Sequence, residues 1–411
     1  MENILGIVAE YNPFHLGHLY HITKSKELSD SSYVVAIMSG NFVQRGDTSI
    51  VDKWTKTQMA LLNGVDLVIE LPTLYAISSA ENFAYGSMRI LDSLKIVDNL
   101  SFGSEVGDIE ILNSIADVIH REPPEYVSIL KHELNKGVSY PTARERALLI
   151  YLNDVRRYAN VLSGSNNILG IEYLKALKKI NSKILPYTLQ REGANYSDTV
   201  SHKGYASSTA IRKWIEKDDF SSISKVVPQN VSELLLEKIK KGNVVPNISV
   251  LEKQIIYQLR KMSLSQIADI QDVTEGLENN LQKAANSCNN LSDFIFMVKN
   301  KRITQTRIQR ILLYTLLGIT KTVYSTLLKP TPYIRVLGMN ENGKKVLSAI
   351  TDANPKLQIV TSVKSFLDTC SDKNLKSMLL LDILATNIYT LGFEYESMAN
   401  LDYTQKMLVI E

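Results

Sequence analysis

The chain has 411 residues, which predicts two or three domains because single hydrophobic cores stop growing at about 250–300 residues. Its 45% hydrophobic and 22% charged residues are typical of a soluble globular protein, and no apolar run reaches the roughly 18 residues of a membrane span. The net charge is only +3, and the two cysteines, Cys288 and Cys370, share no ligand spacing with histidines. These features argue against a membrane protein, a disulfide framework and a zinc site, and they predict a cytoplasmic protein without a metal centre.

Short apolar runs alternate with amphipathic stretches over the first two hundred residues. The runs that predict strands are 4–9, 33–38, 66–71, 99–102 and 183–189. The stretches that predict helices are 17–28, 52–62, 79–94, 109–119 and 167–179. Near-continuous apolar strands separated by helices predict an α/β fold with a Rossmann-like, doubly wound parallel sheet. We place this domain at residues 1–220 and expect its ligand site at the carboxyl ends of the strands.

The pattern changes after residue 220. Four stretches predict helices: 230–241, 250–263, 272–287 and 303–317. Two later runs, 333–337 and 357–363, predict strands that are each followed by a helical pattern. We therefore predict that residues 221–411 form a mainly α-helical domain, to which the two strands add a possible small α/β end.

A basic segment lies between Met297 and Lys345. It holds ten basic residues against one acid, Glu341, and an anionic partner such as RNA is one explanation. The basic residues are Lys299, Lys301, Arg302, Arg307, Arg310, Lys321, Lys329, Arg335, Lys344 and Lys345. On the predicted helix, Arg307, Arg310 and Tyr314 form one stripe that could follow an RNA backbone and stack on a base. The alternative is a solvated helix face without a partner.

Three of the six histidines of the chain fall within seven residues, directly after the first predicted strand. His15-Leu-Gly-His18 lies where a strand ends and a helix begins, and His21 follows one helical turn later. A helix N-terminus with Gly17 suits a close approach to phosphate, to which histidines can donate hydrogen bonds. A metal site is less well supported, because no nearby cysteine or carboxylate completes a ligand set. The remaining alternative is that His15 and His21 only pack or cap locally.

A second motif closes the same domain. Tyr205-Ala-Ser-Ser-Thr-Ala-Ile-Arg212 opens a predicted helix with Ser and Thr at natural N-cap positions. Arg212 lies one turn into this helix, where it could pair with phosphates that the hydroxyl and N–H groups hold. The alternative is a capped surface helix.

Together, His15-Leu-Gly-His18 and Ala206-Ser-Ser-Thr-Ala-Ile-Arg212 resemble the two motifs of nucleotidyltransferases with a His-x-Gly-His signature, with Ala206 in place of an Ile. The resemblance implies attack on the α-phosphate of ATP and release of pyrophosphate, usually with Mg²⁺. It assigns catalysis to His15 and His18, which would stabilise the transition state. It assigns the outgoing phosphates to Ser207, Ser208, Thr209 and Arg212.

A narrower resemblance covers nearly the whole chain. The stretches GIVAEYNPFHLGHLYH, MSGNFVQRGDTSIVDKWTKTQMALLNGVDLVIELP, SFGSE, SNNILGIEYLKAL and QREGANYSD are similar to the bacterial tRNA(Met) cytidine acetate ligase family. The resemblance implies activation of acetate by ATP as acetyl adenylate, followed by acetylation of N4 of the wobble cytidine of elongator tRNA(Met). It also implies an ATP site formed by Ile7, Val8, Ala9, Glu10, Tyr11, Asn12, Pro13, Phe14, His15, Leu16, Gly17, His18, Leu19 and Tyr20, with Gly103, Asn166 or Asn167, and Arg191.

The loop Ser39-Gly-Asn-Phe-Val-Gln-Arg-Gly46 follows the second predicted strand and so reaches the same edge of the sheet. Asn41, Gln44 and Arg45 could bind acetate, the cytosine ring or a tRNA phosphate. The alternative is a loop whose arginine is only solvated. For Lys53 and Lys56, on the next predicted helix, we favour a solvated face, and the alternative is that they contact RNA.

Two other functions compete with the ligase. One is a small-molecule adenylyltransferase with the same two motifs, against which the large basic C-terminal half argues. The other is an RNA-binding protein whose nucleotide site is inert or acts as a sensor, which the intact motifs disfavour.

Overall fold

The computed structural model describes residues 2–138, 140–191, 205–274, 276–395 and 398–411. Residues 192–198 of the QREGANYSD stretch lie outside the described residues. The strands are β1 (Ile4–Ala9), β2 (Tyr33–Ser39), β3 (Phe42–Val43), β4 (Asp47–Thr48), β5 (Leu67–Leu71), β6 (Asn99–Ser104), β7 (Leu185–Gln190), β8 (Ile334–Met339), β9 (Ile359–Val360) and β10 (Leu408–Val409).

Helices cover most of the remaining described chain. Up to the second motif they are α1 (Leu16–Ser29), α2 (Lys53–Leu61), α3 (Thr73–Ala76), α4 (Ala80–Ser93), α5 (Ile109–Arg121), α6 (Pro124–Asn135), α7 (Tyr140–Leu152), α8 (Val155–Tyr158), α9 (Ser165–Lys179) and α10 (Ser208–Ile215). After it they are α11 (Phe220–Ile223), α12 (Gln229–Lys240), α13 (Glu252–Lys261), α14 (Leu264–Asp269), α15 (Leu277–Ser287), α16 (Leu291–Val298), α17 (Gln305–Leu317), α18 (Lys321–Leu327), α19 (Glu341–Ala353), α20 (Val363–Thr369), α21 (Lys373–Tyr389) and α22 (Leu401–Thr404).

The main sheet has eight strands, seven of them in the order β10-β8-β5-β2-β1-β6-β7, and β9 pairs with β8. Strands β5, β2, β1, β6 and β7 run parallel, which confirms the predicted α/β fold. Strand β1 pairs with β2 on one side and β6 on the other. This is a topological switch point, where the loops after β1 and β6 diverge and leave a crevice for a ligand.

The strands of the final segment do not form a sheet of their own. Strand β8 pairs antiparallel with β5, so the possible small α/β end instead extends the main sheet. Sequence periodicity indicated these strands but carried no information about their partners, and the partner of β8 lies about 270 residues away in the sequence. The boundary near residue 220 stays a prediction, and the sheet contains strands from both sides of it.

Between β6 and β7, the sequence analysis missed α6 and α7. Their contacts with the rest of the domain include an ion pair at 3.3 Å between Arg144 of α7 and Glu172 of α9. Among the described residues, no helix is both long enough and apolar enough to cross a lipid bilayer.

Candidate active site

The first motif follows β1 in a loop that is held by the side chain of Asn12 and by a backbone hydrogen bond of Leu16. Asn12 donates a hydrogen bond to the carbonyl of Thr48 (3.2 Å) and accepts one from the backbone N–H of Ile50 (2.7 Å). The backbone N–H of Leu16 donates to the carbonyl of Val226 at 2.9 Å. His15 is the N-cap residue of α1, so both signature histidines lie at the N-terminus of this helix, as the sequence predicted.

The rings of His15 and His18 are stacked, with centroids 3.7 Å apart and planes inclined by 20°. The backbone N–H of His15 donates to Nδ1 of His18 at 3.2 Å. A nitrogen that accepts a hydrogen bond carries no proton, so the neutral His18 ring carries its proton on Nε2. Nδ1 of His15 is buried and has no hydrogen-bond partner among the described residues. A buried polar atom without a partner costs roughly 1–3 kcal/mol, a cost that a bound ligand can offset.

All three histidines of the cluster are held neutral at pH 7. Burial, with a smaller effect of the Arg191 charge, lowers the pKa of His15 to about 3 and that of His21 to about 4. The pKa of His18 is lowered well below its usual value, first by burial and then by electrostatic repulsion from His15, Arg191 and His21. The sequence left His21 least certain, and here its Nε2 lies 3.3 Å from Oγ of Ser101. Its ring therefore has a protein partner of its own.

Gly17 and Gly103 make room for the side chains of His15 and Arg191. A Cβ on Gly17 would lie 3.0 Å from Cε1 of His15 and 4.0 Å from the ring of Tyr205. A Cβ on Gly103 would lie 3.1 Å from Cγ of Arg191. Gly103, in β6, thus leaves room for Arg191 beside the sheet edge. The positive charge of Arg191 lowers the pKa values of His15 and His18.

The two asparagines of the SNNIL stretch have different surroundings. Asn167 is buried, and its amide bonds to the backbone N–H groups of Glu105 and Val106 and to the carbonyl of Val161. Asn166 is half-buried, and its Oδ1 accepts a hydrogen bond from Arg191 at 3.4 Å. Asn166 is therefore the asparagine next to the other site residues, whereas Asn167 supports the loop.

The carboxylate of Glu105 accounts for part of this arrangement and was missed by the sequence analysis. It accepts hydrogen bonds from the backbone N–H of Asn166 (3.1 Å) and of Asn167 (2.7 Å), and it thereby caps the N-terminus of α9. A negative charge at a helix N-terminus is stabilising. The SFGSE stretch carried the signal, since its acid directly follows β6 at the edge of the sheet where the sequence predicted the ligand site.

The second motif joins the first through Arg212. Ser207 is the N-cap residue of α10, and its Oγ accepts a hydrogen bond from the backbone N–H of Ala210 at 3.2 Å, as predicted. The Arg212 guanidinium donates to the carbonyl of Asn12 (2.9 Å) and to Oγ1 of Thr209 (3.3 Å). The second motif is thus bonded directly to the loop that carries the first, through two residues 200 positions apart in the sequence.

Comparison with known proteins agrees with this geometry. A family model described as HIGH Nucleotidyl Transferase matches residues 1–404. A protein of Thermoanaerobacter sp. (strain X514) named tRNA(Met) cytidine acetate ligase is 45% identical over 98% of this chain and 99% of its own length. This chain belongs to the tRNA(Met) cytidine acetate ligase family.

Solved structures of the family have the same fold. The apo crystal structure of Thermotoga maritima TmcAL (form I) is 34% identical, covers 99% of both chains and has a TM-score of 0.93. The crystal structure of Thermotoga maritima TmcAL bound with alpha-thio ATP is 33% identical over 99% of both chains, with a TM-score of 0.92. The chain therefore has the HIGH nucleotidyl transferase fold, followed by a helical C-terminal part.

In this family member, the prediction that Lys53 and Lys56 form a solvated face is wrong. Both side chains are fully buried. The Lys56 ammonium donates to the carbonyls of Glu10 (2.9 Å), Ser39 (2.7 Å) and Gly40 (2.8 Å). Burial lowers the pKa of Lys56 to about 7, but three acceptors use three N–H donors, which only the charged form provides. Lys56 therefore ties the ends of β1 and β2 together.

Residues of the loop after β2 also support the fold of this ligase-family chain. Asn41 is buried and donates to Oγ1 of Thr386 at 3.1 Å, so the proposed contact of its amide with a ligand is not supported. The side chain of Gln44 donates to the carbonyl of Ser78 at 3.0 Å. Arg45 is half-buried in the turn of the β3–β4 hairpin, and its role in tRNA binding stays a prediction.

The basic segment of this family member is not one continuous surface. Tyr314 is buried and donates to the carbonyl of Ile77, so the prediction that it stacks on a base is wrong. Arg307 donates to the carbonyl of Asp272 and to Thr274, and Arg310 lies 3.6 Å from the Asp272 carboxylate. Arg335 is buried in ion pairs. The exposed basic residues that precede α17 are Lys299, Lys301 and Arg302.

Among the described residues, no group of three or more His, Cys, Asp or Glu could hold a metal ion. His15, His18 and His21 are among these residues and therefore do not by themselves form a ligand set for a resident metal ion.

Proposed function

We propose that this chain is an ATP-dependent tRNA(Met) cytidine acetate ligase, which uses acetate and ATP to form N4-acetylcytidine at the wobble position of elongator tRNA(Met). The observation that carries the proposal is the hydrogen bond between Arg212 and Asn12, which joins the second motif to the loop of the signature histidines. It is supported by the name of the Thermoanaerobacter relative and by the alpha-thio ATP bound to the Thermotoga maritima protein.

In the first step, an acetate oxygen attacks the α-phosphorus of ATP. The bond between that phosphorus and the oxygen bridging to the β-phosphorus breaks, and pyrophosphate leaves with the electron pair. We propose that Nε2–H of His18 and the ring of His15 donate to the phosphate oxygens as charge develops on them. Arg191 supplies the nearest permanent positive charge to these rings, and Ser207–Arg212 hold the outgoing phosphates.

In the second step, the N4 amine of cytidine attacks the acyl carbon of acetyl adenylate, AMP leaves, and the amine loses a proton. The amine is a weak nucleophile, so the reaction depends on holding it close to an activated acyl group. Adenylation provides that activation because AMP is a far better leaving group than the hydroxide that free acetate would have to expel.

Magnesium remains an expectation. Since the described side chains form no metal cluster of their own, we expect Mg²⁺ to enter with the phosphates of ATP. Its contribution would be to neutralise phosphate charge.

For tRNA we propose contacts with Arg45 and with the exposed basic residues Lys299, Lys301 and Arg302. Contacts of lysine and arginine with phosphates give affinity without sequence choice and make binding depend strongly on salt. Arg307 and Arg310 already contact Asp272. They contribute to tRNA binding only through the positive charge that the Asp272 carboxylate does not neutralise. A tRNA substrate agrees with the cytoplasmic location expected from the sequence.

The decisive experiment incubates the protein with ATP, Mg²⁺, radiolabelled acetate and elongator tRNA(Met). We expect label in N4-acetylcytidine and formation of AMP and pyrophosphate. Consumption of ATP with another small molecule, while tRNA stays unlabelled, would instead identify a small-molecule adenylyltransferase. A tRNA(Met) transcript with uridine in place of the wobble cytidine is the matched control and should remain unlabelled.

A further inference from the structure

An open cleft of about 480 Å³ lies in the helical C-terminal part, between α13 and the end of α17. Its lining residues are Lys253, Gln254, Tyr257, Gln258 and Leu316. The four residues of α13 stand at i, i+1, i+4 and i+5, so they share one face of that helix. The volume is within the range of roughly 300–1,000 Å³ that small-molecule sites occupy.

The chemistry of the lining is that of a base-binding site. Tyr257 is 64% exposed, which leaves the ring available for stacking. Gln254 and Gln258 flank it with amides that can both donate and accept hydrogen bonds. Oε1 of Gln254 is buried and has no hydrogen-bond partner among the described residues, so this amide has an unused acceptor. Leu316 is the single aliphatic residue, which disfavours an apolar peptide as the occupant.

The cleft lies close enough to the β3–β4 hairpin for one RNA strand to contact both. The β3–β4 hairpin, which carries Arg45, rests on α17: a Cβ on Gly46 would lie 2.5 Å from the backbone nitrogen of Arg310. Leu316 comes six residues later, about 9 Å further along the helix axis. An RNA strand that contacts the β3–β4 hairpin could therefore place a nearby nucleotide in the cleft.

We propose that this cleft binds an unpaired nucleobase of the tRNA substrate, with the base stacked on Tyr257 and its edge hydrogen-bonded to Gln254 and Gln258. Stacking is sequence-tolerant, whereas amide contacts favour particular base edges. The cleft would therefore add selectivity to the phosphate contacts. This inference rests on the proposed function.

The test measures the dissociation constant for fluorescently labelled elongator tRNA(Met) at fixed salt. Tyr257→Ala should weaken binding about tenfold, because a base–aromatic stack lost to alanine is worth roughly 5- to 150-fold in affinity. Tyr257→Phe keeps the ring and should stay within about twofold of the wild type. Gln254→Leu combined with Gln258→Leu should weaken binding while leaving the ring in place.

Tyr395→Ala is the matched control, since this tyrosine is 67% exposed and lies outside the cleft. It should leave affinity unchanged, and all variants should retain acetate-dependent exchange of pyrophosphate into ATP. If Tyr257→Ala binds and acetylates tRNA like the wild type, the cleft proposal is wrong and the proposed ligase function is unaffected. If the wild type neither binds nor acetylates tRNA, both proposals fall.

Discussion

At the scale of single residues, the main feature is a pair of stacked, neutral imidazoles at a helix N-terminus. Burial and the charge of Arg191 disfavour protonation of His15 and His18, so at pH 7 each ring is a hydrogen-bond donor without a positive charge. Donors held in place before the reaction stabilise developing charge without reorganisation. The two rings are thereby suited to phosphate oxygens on which further negative charge develops during the attack.

We expect His18→Ala to reduce acetyl adenylate formation by at least about 100-fold, because the loss of one fixed donor to a developing anion has roughly that effect. Dissociation constants for tRNA should remain within about twofold of the wild type. His132→Ala, at an exposed position of α6, is the control and should be fully active. Equal loss of adenylation and tRNA binding would mean that His18 serves the fold and not the chemistry.

The three histidines of the cluster also predict acid sensitivity. Their pKa values are lowered in the folded protein, so below about pH 6.5 the unfolded chain binds more protons, and stability falls as the pH falls towards about 4. For His21, this corresponds to a loss of about 1–2 kcal/mol between pH 7 and pH 5. His21→Gln should lose less stability over that interval, as measured by urea unfolding. Parallel pH profiles for the two proteins would contradict the neutral state of His21.

At the scale of elements, the β3–β4 hairpin follows β2 and packs against α17 of the helical part. Gly46 has a φ of +77° and lies against the backbone of α17 at Gln309 and Arg310. The hairpin and α17 are therefore packed backbone to backbone, which leaves no room for a side chain at this position.

Gly46→Ala should destabilise the protein by about 3 kcal/mol, from left-handed backbone strain and from the clash with Arg310. Gly318→Ala is the matched control, because its φ of +67° is similar but no atom lies within 4 Å of its added Cβ. We expect it to cost only about 1 kcal/mol in urea unfolding. Equal losses for the two variants would mean that the hairpin contact contributes nothing.

At the scale of the whole molecule, a buried ion network joins the two halves of the chain. Lys53 of α2 pairs with Glu70 of β5 at 2.9 Å and with Asp402 of α22 at 2.7 Å. Arg335 of β8 pairs with the same two carboxylates, at 3.0 Å for Glu70. The charges of two cations and two carboxylates thus balance where β8 pairs with β5.

Arg335→Met should destabilise the whole chain by about 3–5 kcal/mol, because it leaves two buried carboxylates with one cation. Arg302→Met, at an exposed position, should change stability by less than about 0.5 kcal/mol. Circular dichroism and tryptophan fluorescence during urea unfolding provide the measurement. A loss below about 1 kcal/mol for Arg335→Met would argue that the network is not structural.

The sequence alone was sufficient to predict the strands of the parallel sheet and the two motifs at its edge. Local periodicity and N-cap chemistry encode these features within a few residues, so His15, His18 and Ser207 lie where their motifs predicted. The family resemblance was likewise carried by contiguous stretches of sequence.

Only the tertiary structure decided which polar residues support the fold. Periodicity places a side chain on a face of a helix or strand, but it does not say what covers that face. Lys53 and Lys56 therefore looked solvated and are buried, whereas Tyr314 looked available and packs in the core. The bond of Arg212 to Asn12 joins residues 200 positions apart, a partner choice that is made only when the chain folds into one sheet.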